Sequence, residues 1–288
     1  MAYKLVTDGS TDMSIEFYNY DDLVVIPMQS TIEGETVTFL SCQVEELNKY
    51  YEYMLEDKNV STSQVNRAAF EKYFTEILED GYDIIYTGIT SGLSGTYANA
   101  VEVAEDLRKK YPERKISIIE DYAASTGQGL VLQQLKKFKD QGMDHDQMVK
   151  WLEDNTKYIT SQFGVDDLKY LYKGGRVSKT TAGVGNLLKV KPMLHIDMEG
   201  KLQVTALNRG RKNNMKNLVK NMKNSWMPEL SKMVVIGYAY YDENAQALKE
   251  MVEKKIPEAE IYTAPIGALI GTHVGPGMYS LCYFGSDR

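Results

Sequence analysis

The chain is poor in the residues that carry redox and metal chemistry. Its 288 residues include only two cysteines, Cys42 and Cys282, near opposite ends and outside any C-x-x-C spacing. That argues against a cysteine-based zinc site and fits a reducing compartment. The three histidines, His145, His195 and His273, are scattered, with no H-E-x-x-H or paired pattern, so no dedicated metal site is expected. Long apolar runs are also missing. The longest, such as Met233–Tyr241, fall well short of the ~20 residues that span a bilayer. Met1–Met13 contains Lys4 but none of the apolar stretch of a signal peptide. A soluble, cytoplasmic protein is the expectation. Positive charge is outnumbered, with 33 Lys and Arg against 40 Asp and Glu, for a formal net charge of −7. This balance argues against broad nucleic-acid binding, which depends on neutralising phosphates, but leaves room for a local basic pocket.

What is present describes an ordinary globular protein. Hydrophobic content of 43% and charged content of 25% exclude intrinsic disorder, and the length suggests about two domains. In the first half, short apolar runs alternate with turn residues and helical segments. Strands are expected at Tyr3–Thr7, Leu23–Pro27, Tyr82–Thr87 and Lys115–Ile119, and a hairpin around Glu33-Gly34. Helices are expected at Val44–Glu56, Arg67–Glu79, Tyr97–Lys110, Ser125–Gln141 and Asp144–Thr156. Repeated strand–loop–helix units imply a parallel sheet, with ligands outside the carboxyl ends of its strands. The second half mixes hairpins with helices. A Glu199-Gly200 turn joins two strands, a helix is read over Ser178–Leu188, and a basic helix over Arg211–Asn224. The fold expected is therefore α/β, with an N-terminal parallel-sheet domain over residues 1–160 and a C-terminal mixed-sheet domain over 161–288.

Several short motifs carry candidate chemistry. Ser91-Gly92-Leu93-Ser94-Gly95-Thr96-Tyr97 follows a strand and opens a helix, where free N–H groups favour an anion. A nucleophile elbow, G-x-S-x-G, fails because Thr96 stands where the second Gly belongs. Lys173-Gly174-Gly175-Arg176 fails as a phosphate loop and reads as a Gly-Gly turn presenting an arginine fork suited to carboxylate or phosphate. Thr62-Ser63-Gln64, taken alone, reads as the N-cap of the helix at Arg67. Gly271 to Gly277 frames His273 with glycines and a proline, as a ring held on a rigid loop. Arg209-Gly210-Arg211-Lys212 is a basic cluster in an acidic chain.

Taken in order along the chain, with the opening Thr7-Asp8-Gly9-Ser10-Thr11-Asp12, these motifs resemble the DegV family, bacterial fatty-acid-binding proteins that serve a fatty acid kinase. The resemblance covers nearly the whole chain. It implies a two-domain α/β protein holding a long-chain fatty acid in an apolar tunnel between the domains. It implies a lipid-binding carrier, not itself an enzyme, needing no cofactor and serving phospholipid synthesis. Its partners would be the fatty acid, its acyl phosphate and a separate ATP-dependent kinase, with transient membrane contact and no nucleic acid.

Carried over by position, Thr62, Ser94 and His273 would bind the carboxylate, with Ser63, Gly95, Thr96 and Gly275 in the same binding set. Arg176 would lie near the carboxylate or acyl phosphate and assist the partner's step. One of Arg209 and Arg211 would add positive potential. The chain departs from the family pattern at Val65, where Pro is frequent, and at Gly9, where Ser is frequent. Two other readings of the same residues are a serine hydrolase or acyltransferase using Ser94 and His273, and a sensor of a polar small molecule.

Overall fold

A computed structural model describes residues 2–37, 43–178, 180–181 and 190–287. The first strand, β1 (Tyr3–Asp8), is buried along nearly its whole length, and two helices, α1 (Ile15–Tyr18) and α2 (Val44–Leu55), follow it in the first half of the chain. It lies between β2 (Leu23–Ile26) and β6 (Asp83–Tyr86), and β7 (Ile116–Ile118) completes a four-stranded parallel sheet in the order β2-β1-β6-β7. Side chains alternate across it. Val6, Ile84 and Tyr86 pack against Phe70 and Phe74 of α3 (Arg67–Glu79) and against α4 (Thr96–Lys110). Leu5 and Ile85 face the other way, onto α5 (Thr126–Asp140) and α6 (His145–Asn155). That period of two is what a strand covered on both faces requires.

The second half forms a six-stranded mixed sheet in the order β10-β9-β8-β13-β11-β12. Its central strands are β8 (Ile159–Gly164) and β13 (Tyr279–Phe284), antiparallel and buried throughout. They are flanked by β9 (Val190–Ile196) with β10 (Leu202–Arg209), and by β11 (Met233–Tyr238) with β12 (Glu260–Pro265). Helix α5 lies between the two sheets, buried all round from Thr126 to Leu135, and shares one core with Leu5 and Ile85 on one side and Val235, Cys282 and Phe284 on the other. A small antiparallel sheet, β4-β3-β5, covers one end, built from β3 (Gln29–Ile32), β4 (Glu35–Val37) and β5 (Val60–Ser63). The α/β architecture, parallel in the first half and mixed in the second, is the one expected.

Two local expectations are corrected. Thr62 and Ser63 do not cap a helix: they end strand β5, and Asn66 caps α3, its side chain accepting from the Ala69 N–H at 2.9 Å. His273 does not ride on a loop. It sits in the last turn of a short helix, Ala268–Val274. The helix read over Ser178–Leu188 falls largely outside the described residues.

Candidate ligand-binding site

The turn after a five-residue helix, α7 (Lys169–Lys173), fixes the arginine. Gly175 takes φ +73°, and the N–H groups of Gly175 and Arg176 return to the carbonyls of Tyr172 and Leu171, each at 2.9 Å. This is a Schellman cap, and only a residue tolerant of the left-handed region closes it without strain. The chain then leaves in a direction that carries Arg176 to the Ser91–Tyr97 loop. There its guanidinium donates to the Leu93 carbonyl from Nη2 at 3.0 Å and from Nε at 3.2 Å, and to the Gly174 carbonyl. Among the described residues Arg176 has no carboxylate partner. Burial pulls its pKa below the ordinary arginine value.

The loop holding Leu93 is itself clamped by the Glu199-Gly200 hairpin tip. A Cβ on Gly92 would lie 2.5 Å from the Gly200 carbonyl oxygen and 2.8 Å from that of Glu199, so the two backbones touch only because Gly92 has none. Ser94 precedes the N-cap of α4, and its Oγ shares a 2.9 Å hydrogen bond with Thr96 Oγ1. Thr96 Oγ1 in turn accepts from the Val65 N–H at 3.3 Å. A proline at 65, as the family pattern has it, could not donate there.

His273 meets Thr62 across the seam between β5 and the last helix: Nε2 and Oγ1 share a hydrogen bond of 2.9 Å. Its Nδ1 is buried without a partner. Burial, and secondarily the Arg176 charge, lower the His273 pKa to about 4, so the ring is neutral at pH 7. The helix carrying it is held from the first half of the chain. At its N-terminus the Gly267 N–H donates to Asp12 Oδ1 at 2.8 Å, while Ser125 Oγ donates to Asp12 Oδ2 at 2.5 Å. Further along, Tyr50 and Thr272 share a buried hydroxyl bond of 2.6 Å.

These groups border a cavity of about 610 Å³ with walls from both halves of the chain. Thr62, Ser63, Ser94, Gly95, Arg176 and His273 all line it. The rest of the wall is largely apolar, including Met28, Ile89, Phe163, Ile196, Leu269 and Met278. Arg176 is its one charged side chain among the described residues. A volume in the range of ~300–1,000 Å³, mostly apolar with a few convergent polar groups, is the usual form of a small-molecule site.

Other expected site residues lie elsewhere. Thr96 stands behind Ser94 as its hydrogen-bond partner, and Gly275 is outside the lining, its Cα against the Tyr170 ring. Arg209 ends β10 on the exposed surface. Arg211 is bound to Asp166 at 2.7 Å and to Asn244 at 2.8 Å, and it does not reach the cavity wall. No hydrogen bond joins Ser94 to His273 among the described residues. Their polar partners are Thr96 and Thr62, so a serine–histidine couple is not assembled.

The sequence reading missed a second polar group in the wall. Thr126, Ser161, Ser280 and Cys282 line the cavity away from any hydrogen bond to the first group, with Thr126 Oγ1 and Ser280 Oγ 2.7 Å apart. Small polar residues at alternate positions of buried strands, as in Ser280-Leu281-Cys282, are the signal that could have found them. Among the described residues no cluster of metal-ligating side chains occurs and no helix is long and apolar enough to cross a membrane.

The fold and this constellation have counterparts. A DegV domain-containing protein of Clostridium perfringens is 34% identical over 239 residues, covering 83% of this chain and 82% of its own. The DegV lipid-binding protein of Thermotoga maritima superposes with a TM-score of 0.84 at 25% identity, over the whole of both chains. The Streptococcus pneumoniae Fatty Acid Kinase (Fak) B3 protein, solved loaded with linoleic acid, superposes with a TM-score of 0.86 at 19% identity over 99% of each chain. The family model of the uncharacterised DegV proteins matches residues 2–286. With a match that spans both sheets and every motif around the cavity, the chain belongs to the DegV family.

Proposed function

We propose that the protein binds a long-chain fatty acid, with its tail in the apolar part of the cavity and its carboxylate at Arg176. The observation that carries this reading is the unneutralised cation. Among the described residues Arg176 is the single charged side chain in a largely apolar wall, bonded only to neutral carbonyls, and a monoanion would complete it. His273, neutral at pH 7, and the hydroxyls of Thr62 and Ser94 are suited to orient the carboxylate without adding net charge. About 15 methylenes at ~0.8 kcal/mol each supply a gross ~12 kcal/mol, from which association costs take a large share. The tail therefore dominates affinity and the polar group sets direction. That the related T. maritima protein binds lipid and the S. pneumoniae protein holds linoleic acid supports the same reading.

A second cavity supports the carrier role. A space of about 570 Å³ also borders Thr62, Arg176 and His273, and Asp57, Lys58 and Lys173 line it, with Lys173 4.0 Å from the Asp57 carboxylate. The polar groups shared by the two cavities, in this reading, separate the tail from the side that a phosphoryl donor approaches. In this reading the chain, with domains over 1–160 and 161–288, acts in the cytoplasm. It presents the carboxylate to a separate ATP-dependent kinase, keeps the acyl phosphate and meets the membrane transiently.

Solvent extraction of natively purified protein followed by mass spectrometry tests the first step. Near-stoichiometric fatty acid is expected. An empty protein that also takes up no member of a fatty acid panel refutes it. Phosphate transfer from ATP to the bound acid, only when a kinase of this class is added, tests the second.

A further inference from the structure

One surface contradicts the acidic character of the chain. The helix α8 (Arg211–Ser225) contains no Asp or Glu and places Lys212, Lys216, Lys220 and Lys223 along one exposed stripe. Beside it, α9 (Glu243–Lys255) ends in Lys254 and Lys255. The two helices enclose a groove of about 550 Å³ lined by these lysines, with Val219 and Met251 as the apolar residues of its wall. None of the six lysines forms an ion pair among the described residues, in a protein of formal net charge −7.

Helix energetics do not account for the pattern. Lys223, Lys254 and Lys255 lie in last turns, where a cation complements the helix dipole. Lys212 lies in a first turn, where the dipole opposes it, and Lys212/Lys216 and Lys216/Lys220 are like-charge pairs at i,i+4. These choices work against the isolated helix. Lysine stems lining apolar space with their ammonium groups at the rim make an amphipathic surface, concave where a bilayer would meet a convex or flat one.

We propose that this groove docks an acidic amphipathic helix of a protein partner, apolar face on the half-buried Met251 and the lysine stems and carboxylates on the two lysine rims. The site is remote from the cavity. On β13, Tyr279, Leu281 and Tyr283 belong to the core beneath α8 and α9, whereas Ser280 and Cys282 line the cavity on the opposite face of the sheet. A partner bound here leaves the cavity unobstructed, and the inference does not depend on what the cavity holds.

The test uses the intact protein and a fluorescent synthetic helix with Leu at i, i+3, i+4 and i+7 and Glu elsewhere, read by anisotropy. A scrambled peptide of the same composition and phosphatidylglycerol vesicles form the other arms. The patterned peptide should bind, and the scrambled one should bind at least ~10-fold more weakly, because the groove reads the apolar stripe as well as the charge. The triple variant Lys216→Glu, Lys220→Glu, Lys254→Glu should lose at least ~10-fold, and the matching Lys→Gln triple less. All three positions are exposed, and an unchanged melting curve verifies the fold. Equal binding of both peptides, binding of vesicles but of neither peptide, or no effect of charge reversal would each overturn the proposal.

Discussion

Replacing Arg176 by glutamine removes the only charged side chain that the described residues place in the cavity wall, and keeps a side chain of similar reach. The guanidinium interacts with neutral carbonyls in the free protein, so the loss to folding is modest. The loss to a bound carboxylate is larger. A unit charge pair ~4 Å apart at an effective dielectric of ~20 is worth ~4 kcal/mol gross. Arg176 is only half-buried, and solvent screening brings the net to the ~1.5–3 kcal/mol of a hydrogen bond to a charged group. Arg176→Gln should therefore weaken a long-chain fatty acid by roughly 10–100-fold. The alcohol of the same chain length, which has no charge to pair, should change by less than ~3-fold. Competitive displacement of a fluorescent lipid measures both. The same variant has a second readout: since the Arg176 charge helps hold the His273 pKa near 4, its removal should raise that value in a proton NMR titration. Equal losses for acid and alcohol, or an acid affinity that does not move, would refute the placement of the carboxylate at Arg176.

Other perturbations test the supporting geometry. Gly92→Ala forces a Cβ onto the Glu199 and Gly200 carbonyls, so it should cost ~1–3 kcal/mol in thermal unfolding and weaken fatty acid binding through the displaced Leu93 carbonyl. An unchanged melting temperature would mean the hairpin tip is not clamped there. Val65→Pro removes the N–H that holds Thr96 Oγ1 and changes a core side chain, so it should weaken fatty acid binding several-fold, by ~1 kcal/mol, and lower the melting temperature. The pH dependence has a definite sign. The His273 pKa is near 6.5 when unfolded and about 4 when folded, so the unfolded chain binds the extra proton between those values. This contribution to stability is present above pH 6.5 and is lost as the pH falls towards 4, at up to ~1.4 kcal/mol per pH unit. His273→Gln should flatten that slope in denaturant titrations, and a slope that persists unchanged would assign it to other groups. Ser94→Ala and His273→Ala should each weaken fatty acid binding. Unchanged affinity in both would remove them from the carboxylate site.

The readability of the fold varied with how local its causes were. Tyr3–Asp8 and Asp83–Tyr86 are short apolar strands followed by turns, and period and punctuation suffice to identify them. Lys173-Gly174-Gly175-Arg176 was legible as a turn presenting an arginine, because a Schellman cap is written in four residues. What the arginine meets was not legible, since the Leu93 carbonyl lies 83 residues away. Thr62 and Ser63 looked like a cap because nothing local marks them as the edge of a strand paired with Gln29 and Ser30. His273 looked like a loop residue because glycines surround it, yet helix packing against Tyr51 and the buried Tyr50–Thr272 bond override that propensity. The apolar cavity wall was illegible. Ile89, Phe163 and Leu269 obey the same periodicities as the core residues beside them, and only the third dimension separates a wall from a core.

Asp12 has a kinetic consequence. Its carboxylate is bonded at once to the N-terminus of the His273 helix and to Ser125 at the start of α5, with 1% of its surface accessible. Ser125 and Asp12 both belong to the first half of the chain, so pulling the two sheets apart would break the bond to Gly267 and leave a carboxylate short of a partner in a low-dielectric seam, that bond being of the kind worth ~1.5–3 kcal/mol. A clamshell opening thus carries an electrostatic cost. The residence time of a ligand bound as proposed would then be set by movements at the rim of the cavity, which leave the latch between the sheets closed.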